Sequence, residues 1–174
     1  MVEDLEDPRR TEPRFVLPER EMLEEWLEFH RITLVMKCEG LSDADRKRRW
    51  VPTSNLSLHG LVRHMAEVEN NWFVRVLVSK PETPPLIATE GVEDSELVPL
   101  DDAVWEDDLA VWQRACETSR ENASTRGLDD SGLHRWSGQQ CTLRWIYVHM
   151  IEEYARHNGH ADFLRELADG AVGY

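Results

Sequence analysis

Cysteine is scarce in this chain, positive charge is outnumbered, and no apolar run approaches the length of a membrane span. The three cysteines, Cys38, Cys116 and Cys141, are odd in number and show no Cys-x-x-Cys spacing. That argues against a disulfide framework or a thiolate zinc site and leaves buried or half-buried thiols. Lys and Arg number 20 against 34 Asp and Glu, a formal charge of −14 that is spread along the chain rather than gathered in one tail. Such a field repels phosphate, so neither nucleic acid nor an anionic membrane surface is an expected partner. The opening MVEDLEDPRRTEP lacks the charged-then-apolar pattern of a signal peptide. A cytoplasmic protein is therefore expected, with residues 1–15 as a flexible N-terminal arm. Internal repeats, low-complexity tracts and convincing strand patterns are also missing.

What is present is helical periodicity, and the 174 residues, 41% hydrophobic and 31% charged, suit one globular domain over 1–174. A first helix is expected from about Pro18 to Glu39, with Met22, Trp26, Phe29 and Met36 on one stripe, Leu23, Leu27 and Leu34 beside it, and Gly40 as its stop. A second starts at Ser57 as N-cap and runs to about Ser79 through Leu58, Leu61, Val62, Met65, Val68, Trp72 and Val76. Lys80 to Pro99 holds four prolines and reads as a long loop, more often functional than decorative at that length. The third helix should span about Asp101 to Arg126, with Trp105, Leu109, Trp112 and Cys116 inward and acidic residues where the helix dipole favours them. Gly127 to Gln140 reads as a second loop. Cys141 or Thr142 then opens a fourth helix that continues to about Ala168, before Gly170 and Gly173. Four such helices predict an all-α, four-helix bundle.

The fourth helix carries polar groups where a seam should be apolar. Leu143, Ile146, Met150, Glu153, His157, His160, Leu164 and Leu167 step by three and four, the spacing of one helix face, and are all expected to turn toward the core. A carboxylate in such a place must neutralise, pair or bind a cation. Glu153 and His157, one turn apart, offer two metal ligands, and His64 on the second helix offers a third. Two histidines and a carboxylate suit zinc with a position left open, and equally iron or nickel. His160 is either a fourth ligand or the group that orients one, and His149 is a further candidate for orientation. The plainer alternative is a set of hydrogen-bonded or solvated histidines. His30 is expected to be packed, His59 exposed near a helix start, and His134 in a loop. Arg63, Arg144 and Arg156 flank the ligands and can bind a carboxylate substrate, although solvated surface arginines are the simpler reading. Trp72 either walls a pocket or packs in the core.

The stretches TLRWIYVHMIEEYARHNGHADFLRE (Thr142 to Glu166) and LHGLVRHMAEVENNWF (Leu58 to Phe73) resemble the DinB-like superfamily, and within it the actinobacterial mini-circle protein branch. The resemblance spans nearly the whole chain. It implies a four-helix bundle of the DinB-like metalloenzyme fold, commonly dimeric, with a divalent metal held by one histidine of the second helix and two residues on the fourth. Many members carry a His-x-x-x-His-Arg-Gly-Gln pattern there. Here Glu153, His157, Asn158, Gly159 and His160 occupy the matching stretch. Glu153 in place of histidine resembles mycothiol-dependent maleylpyruvate isomerase, and His160 replaces the glutamine. The resemblance also implies a low-molecular-weight thiol co-substrate such as mycothiol, deprotonated on the metal to attack an electrophilic carbon.

Two classes of function are compatible with these features. One is a metal-dependent thiol S-transferase acting on a small molecule, with a hydrolase using metal-bound water as a nearby variant; His160 and Glu67 are its candidate bases. The other is a non-catalytic bundle whose metal ties helices together or whose seven tryptophans help line a binding pocket.

Overall fold

A computed structural model of the chain describes residues 8–98, 100–134 and 137–172. Its elements are α1 (Glu19–Cys38), a short α2 (Asp43–Lys47), α3 (Leu58–Glu69) continued by a π-helical stretch (Asn70–Val76), α4 (Trp105–Ser124), a hairpin of β1 (Ser131–His134) and β2 (Gln139–Thr142), and α5 (Leu143–Asp169). With α3 and its continuation taken as one rod, four long helices make the expected bundle. α1 packs mainly on α5 and α3 mainly on α4, while α3 also touches α5. No helix among the described residues is long and apolar enough to cross a membrane.

Local chemistry sets the helix ends. The Ser57 hydroxyl accepts the Gly60 amide at 3.0 Å, and the Thr142 hydroxyl accepts the Trp145 amide at 3.2 Å, so both expected caps are in use. Gly170 closes α5 at φ +78°, a conformation that suits a residue without a Cβ. α4 begins at Trp105 rather than Asp101, because Leu100 to Ala103 form a turn closed by the Ala103 amide on the Leu100 carbonyl. Asp101 and Asp102 therefore precede the helix, and Glu106, Asp107 and Asp108 fill its first turn.

Three core assignments are corrected. The buried face of α1 is Leu27, Arg31, Leu34 and Cys38, whereas Trp26 is 40% exposed. Arg31 can lie inside because Glu69 accepts its guanidinium through both oxygens, at 2.8 and 2.7 Å. On α5 the buried line runs Met150, Tyr154, Asn158, Ala161 and Leu164. Glu153, His157 and His160 sit one position off that line, half-buried at its edge, and Leu167 is exposed. His59 is fully buried rather than exposed, since its Nε2 meets the Asp108 carboxylate at 2.8 Å. Burial also lowers its pKa below the usual histidine range.

The expectation that the chain lacks strands fails at residues 131–142, where β1 and β2 pair antiparallel, Gly132 opposite Cys141. Gly138, at φ +66°, turns the hairpin. A Cβ on Gly132 would collide with the Val76 carbonyl, so the hairpin lies directly on the end of the π-helical stretch. Gly132→Ala is expected to push it away and destabilise the protein by about 1–3 kcal/mol, the usual cost of overpacking. Urea unfolding followed by helical circular dichroism measures this; a change within about 0.5 kcal/mol would mean that the contact is slack.

The arm expected over residues 1–15 falls partly outside the described residues, as does Gly173. From residue 8 onward it is tethered: Arg9 reaches Glu39 at 2.8 Å and Arg14 grips Glu25 at 2.9 Å through Nε.

Candidate functional site

The half-buried edge of α5 faces the side of α3 that carries His64, and there the proposed ligands meet in pairs. The His64 and His157 rings stand edge to face with centroids 4.9 Å apart. His157 Nε2 lies 3.6 Å from Glu153 Oε2, too far for a hydrogen bond. Both histidines are held by their other nitrogen. His64 Nδ1 is 3.0 Å from Glu96 Oε1, and His157 Nδ1 is 3.4 Å from His160 Nδ1. His160 thus contacts His157 through the ring nitrogen that does not face Glu153.

Glu96 was not legible as a partner of His64. It comes from the long 80–98 connection, which is strapped across α3 at several points. Arg63 Nε donates to the Glu96 carbonyl at 2.7 Å, and Glu67 Oε1 accepts the Ile87 and Ala88 amides at 2.6 and 2.9 Å. Glu67, weighed from the sequence as a base, therefore serves the loop backbone with that oxygen. Arg63 is no surface arginine, because its Nη1 also pairs with Asp108 at 2.8 Å. Arg144 bonds Glu19 at 2.6 Å and also meets Asp129. Arg156, half-exposed, pairs with Glu152 and reaches Glu153 at 3.7 Å.

Among the described residues, the acid and histidine group that converges most tightly is His149, Glu152 and Glu153, whose ligand atoms lie within 4.8 Å of one another. His64, Glu153 and His157 do not close to that separation as a trio. The His149 ring is sandwiched, stacked on Trp145 at 4.9 Å and meeting Trp72 at 4.4 Å, with Nε2 3.4 Å from Glu153 Oε1. Glu153 is thus common to both groups. His134 lies in β1 rather than in a loop, and its ring stacks on Trp72 at 5.4 Å. His30 is partly packed, as expected, with its pKa lowered by burial.

Burial pushes the His157 pKa down to about 4, and the neighbouring His64, His160 and Arg156 push it the same way. His157 is consequently neutral at physiological pH, the state in which imidazole offers a lone pair to a metal. Two donors on a tetrahedral zinc, each about 2.0–2.1 Å from it, lie roughly 3.4 Å apart. The gap of 3.6 Å between His157 Nε2 and Glu153 Oε2 is close to that, with no hydrogen bond across it. The His157–Glu153 pair therefore fits two positions on a divalent cation, while His64 does not close with them in this structure. By contrast, burial raises the pKa of each cysteine, Cys38 to about 12 and Cys116 and Cys141 in the same direction, so the chain's own thiols stay protonated.

Two cavities adjoin these residues and share Trp72 as a wall. One, about 270 Å³, is lined by His64, Glu67, Arg75 and Glu96; the other, about 470 Å³, lies between the hairpin and the start of α5.

A family model described as Mycothiol-S-transferase matches residues 22–170 of the chain. No curated protein and no solved structure matches it.

Proposed function

We propose that this chain, which belongs to the mycothiol-S-transferase family, is a divalent-metal-dependent enzyme that moves the sulfur of a small thiol onto an electrophilic carbon. The observation that carries the metal is the pairing of neutral His157 with Glu153 beside His64, each histidine held by Nδ1 so that Nε2 is presented. His64, Glu153 and His157 are assigned as the ligands. Zinc is the first choice, with nickel or ferrous iron also suited to the same donors. A cation held there would supply one thing, a lowered pKa for a thiol beside it, so that sulfur is nucleophilic at neutral pH.

The protein's own residues set up the rest. Glu96 accepts from His64 Nδ1–H, fixing the tautomer that leaves Nε2 as a donor to metal, and His160 does the equivalent for His157. The Glu153 carboxylate offsets part of the cation's charge. The raised cysteine pKa values leave the nucleophile to a diffusible thiol. In the transfer an S–H bond is lost, with its proton released to solvent, and a C–S bond forms. The leaving group departs with its bonding electron pair.

His149, Glu152 and Glu153 support a second reading, in which the cation sits on α5 alone. Glu152 is exposed and already paired with Arg156, and His149 is enclosed by two indoles, so the set that bridges two helices is preferred. Metal content of untagged protein tests both. One zinc per chain is expected in wild type and in His149→Ala, and little or none in His64→Ala, Glu153→Ala or His157→Ala, with helical content unchanged. Loss of metal in His149→Ala with retention in His64→Ala would move the site onto α5. A wild type that takes up no zinc at neutral pH would end the metal reading altogether.

A further inference from the structure

The larger cavity beside the candidate centre is walled by three aromatic rings, those of Trp72, Trp145 and His134, and the hairpin contributes Ser137, Gln139 and Gln140. Its volume of about 470 Å³ lies within the range of small-molecule sites. Trp72 and His134 stack on one another, 7° apart, and Trp145, which stacks one face on His149, is tilted by 53° from Trp72 with centroids at 5.1 Å. Trp145 remains 48% exposed, a large indole held at a cavity mouth rather than in a core.

An aromatic face attracts another flat π-system by offset stacking. Hydroxyl and amide groups on the hairpin can hold the polar edge of an occupant. We infer that this cavity binds a planar aromatic or conjugated molecule, stacked against Trp145 beside Trp72. The occupant lies one ring away from the centre, because His149 stacks on Trp145 and reaches Glu153 at 3.4 Å. That it is the acceptor of the sulfur rests on the transferase reading; that the cavity binds a flat ring does not.

Calorimetric titration of chelator-treated protein, without thiol, separates the two. The probe is 2-naphthol, with its saturated analogue decahydro-2-naphthol as control. Saturable one-to-one binding of 2-naphthol is expected, with the saturated analogue at least tenfold weaker. Trp145→Leu should weaken 2-naphthol at least tenfold, Trp145→Tyr should stay within threefold of wild type, and His134→Ala, on the hairpin side, should also weaken it. The inference is overturned by absence of saturable binding in wild type, by equal affinity for the saturated analogue, or by Trp145→Leu and His134→Ala both binding as wild type does. Naphthol binding that persists while the metal-loaded protein consumes no electrophile would sink the transferase reading alone.

Discussion

Glu69→Ala is expected to destabilise the protein by about 3–5 kcal/mol, the cost of stranding one partner of a buried ion pair. Glu69 is wholly enclosed and takes Arg31 Nε at 2.8 Å, Arg31 Nη2 at 2.7 Å and the Tyr154 hydroxyl at 2.8 Å. The Trp112 indole donates to the same hydroxyl at 2.9 Å. Without Glu69 the buried Arg31 guanidinium keeps its charge, loses its two-oxygen partner and is left with Glu28 as its remaining counter-charge. Removing both charges is a different experiment. Arg31→Met combined with Glu69→Leu leaves no stranded ion, so the double variant should recover most of the loss. Urea unfolding of the wild type, each single variant and the double variant measures the coupling. A single variant costing less than about 1 kcal/mol would show that water enters and solvates the remaining charge. The network also matters for the site, since Glu69 follows His64 on α3 and Tyr154 follows Glu153 on α5. It clamps together the two helices whose side chains must converge.

The second large effect is on pH. An unfolded histidine titrates near 6.5, whereas His157 in the folded protein titrates near 4. Above about pH 6.5 the ring is neutral in both states and pH has no leverage. As pH falls below that, the unfolded chain takes up a proton that the folded chain refuses, so stability is lost progressively down to about pH 4. At about 1.36 kcal/mol per unit, the loss from this ring amounts to about 3 kcal/mol. Other buried histidines add to the total slope, so the test is a difference. In metal-free protein, wild type should lose about 2–3 kcal/mol relative to His157→Gln between pH 7 and pH 4. Parallel curves for the two proteins would mean that the folded ring protonates as readily as the unfolded one.

Much of the bundle was legible because helix ends are local chemistry. Ser57, Thr142 and Gly170 act where the sequence places them. Glu153 and His157 were legible for the same reason, as their four-residue spacing is fixed by the helix itself. What escaped reading depends on partners far apart in the chain. Arg31 carries no local sign of being a core residue, since its justification, Glu69, lies 38 residues on. His59 looked like a solvated residue at a helix start because Asp108, which neutralises the cost of burying it, is 49 residues away. Glu96 sits in a proline-rich connection with no period to mark which residue would land on His64. The hairpin was missed because four residues per strand are too few for alternation to register, although Ser137-Gly138 is a recognised turn signal.

The π-helical stretch at Asn70–Val76 bears on how the cavity walls are placed. There the Leu77 amide bonds the Trp72 carbonyl, five residues back rather than four. That turn takes in one residue more than an ordinary α-turn, so the extra residue is absorbed where it sits and the side chains beyond it keep the direction that a regular helix one residue shorter would give them. An extra residue without a wide turn would instead rotate the remainder of the rod by about 100°. The surface at Val76 on which the hairpin rests is therefore held in register by the wide turn. Removing one residue within these seven positions, with a regular helix restored, should leave that surface aimed as it is, whereas a one-residue change earlier in α3 should turn it.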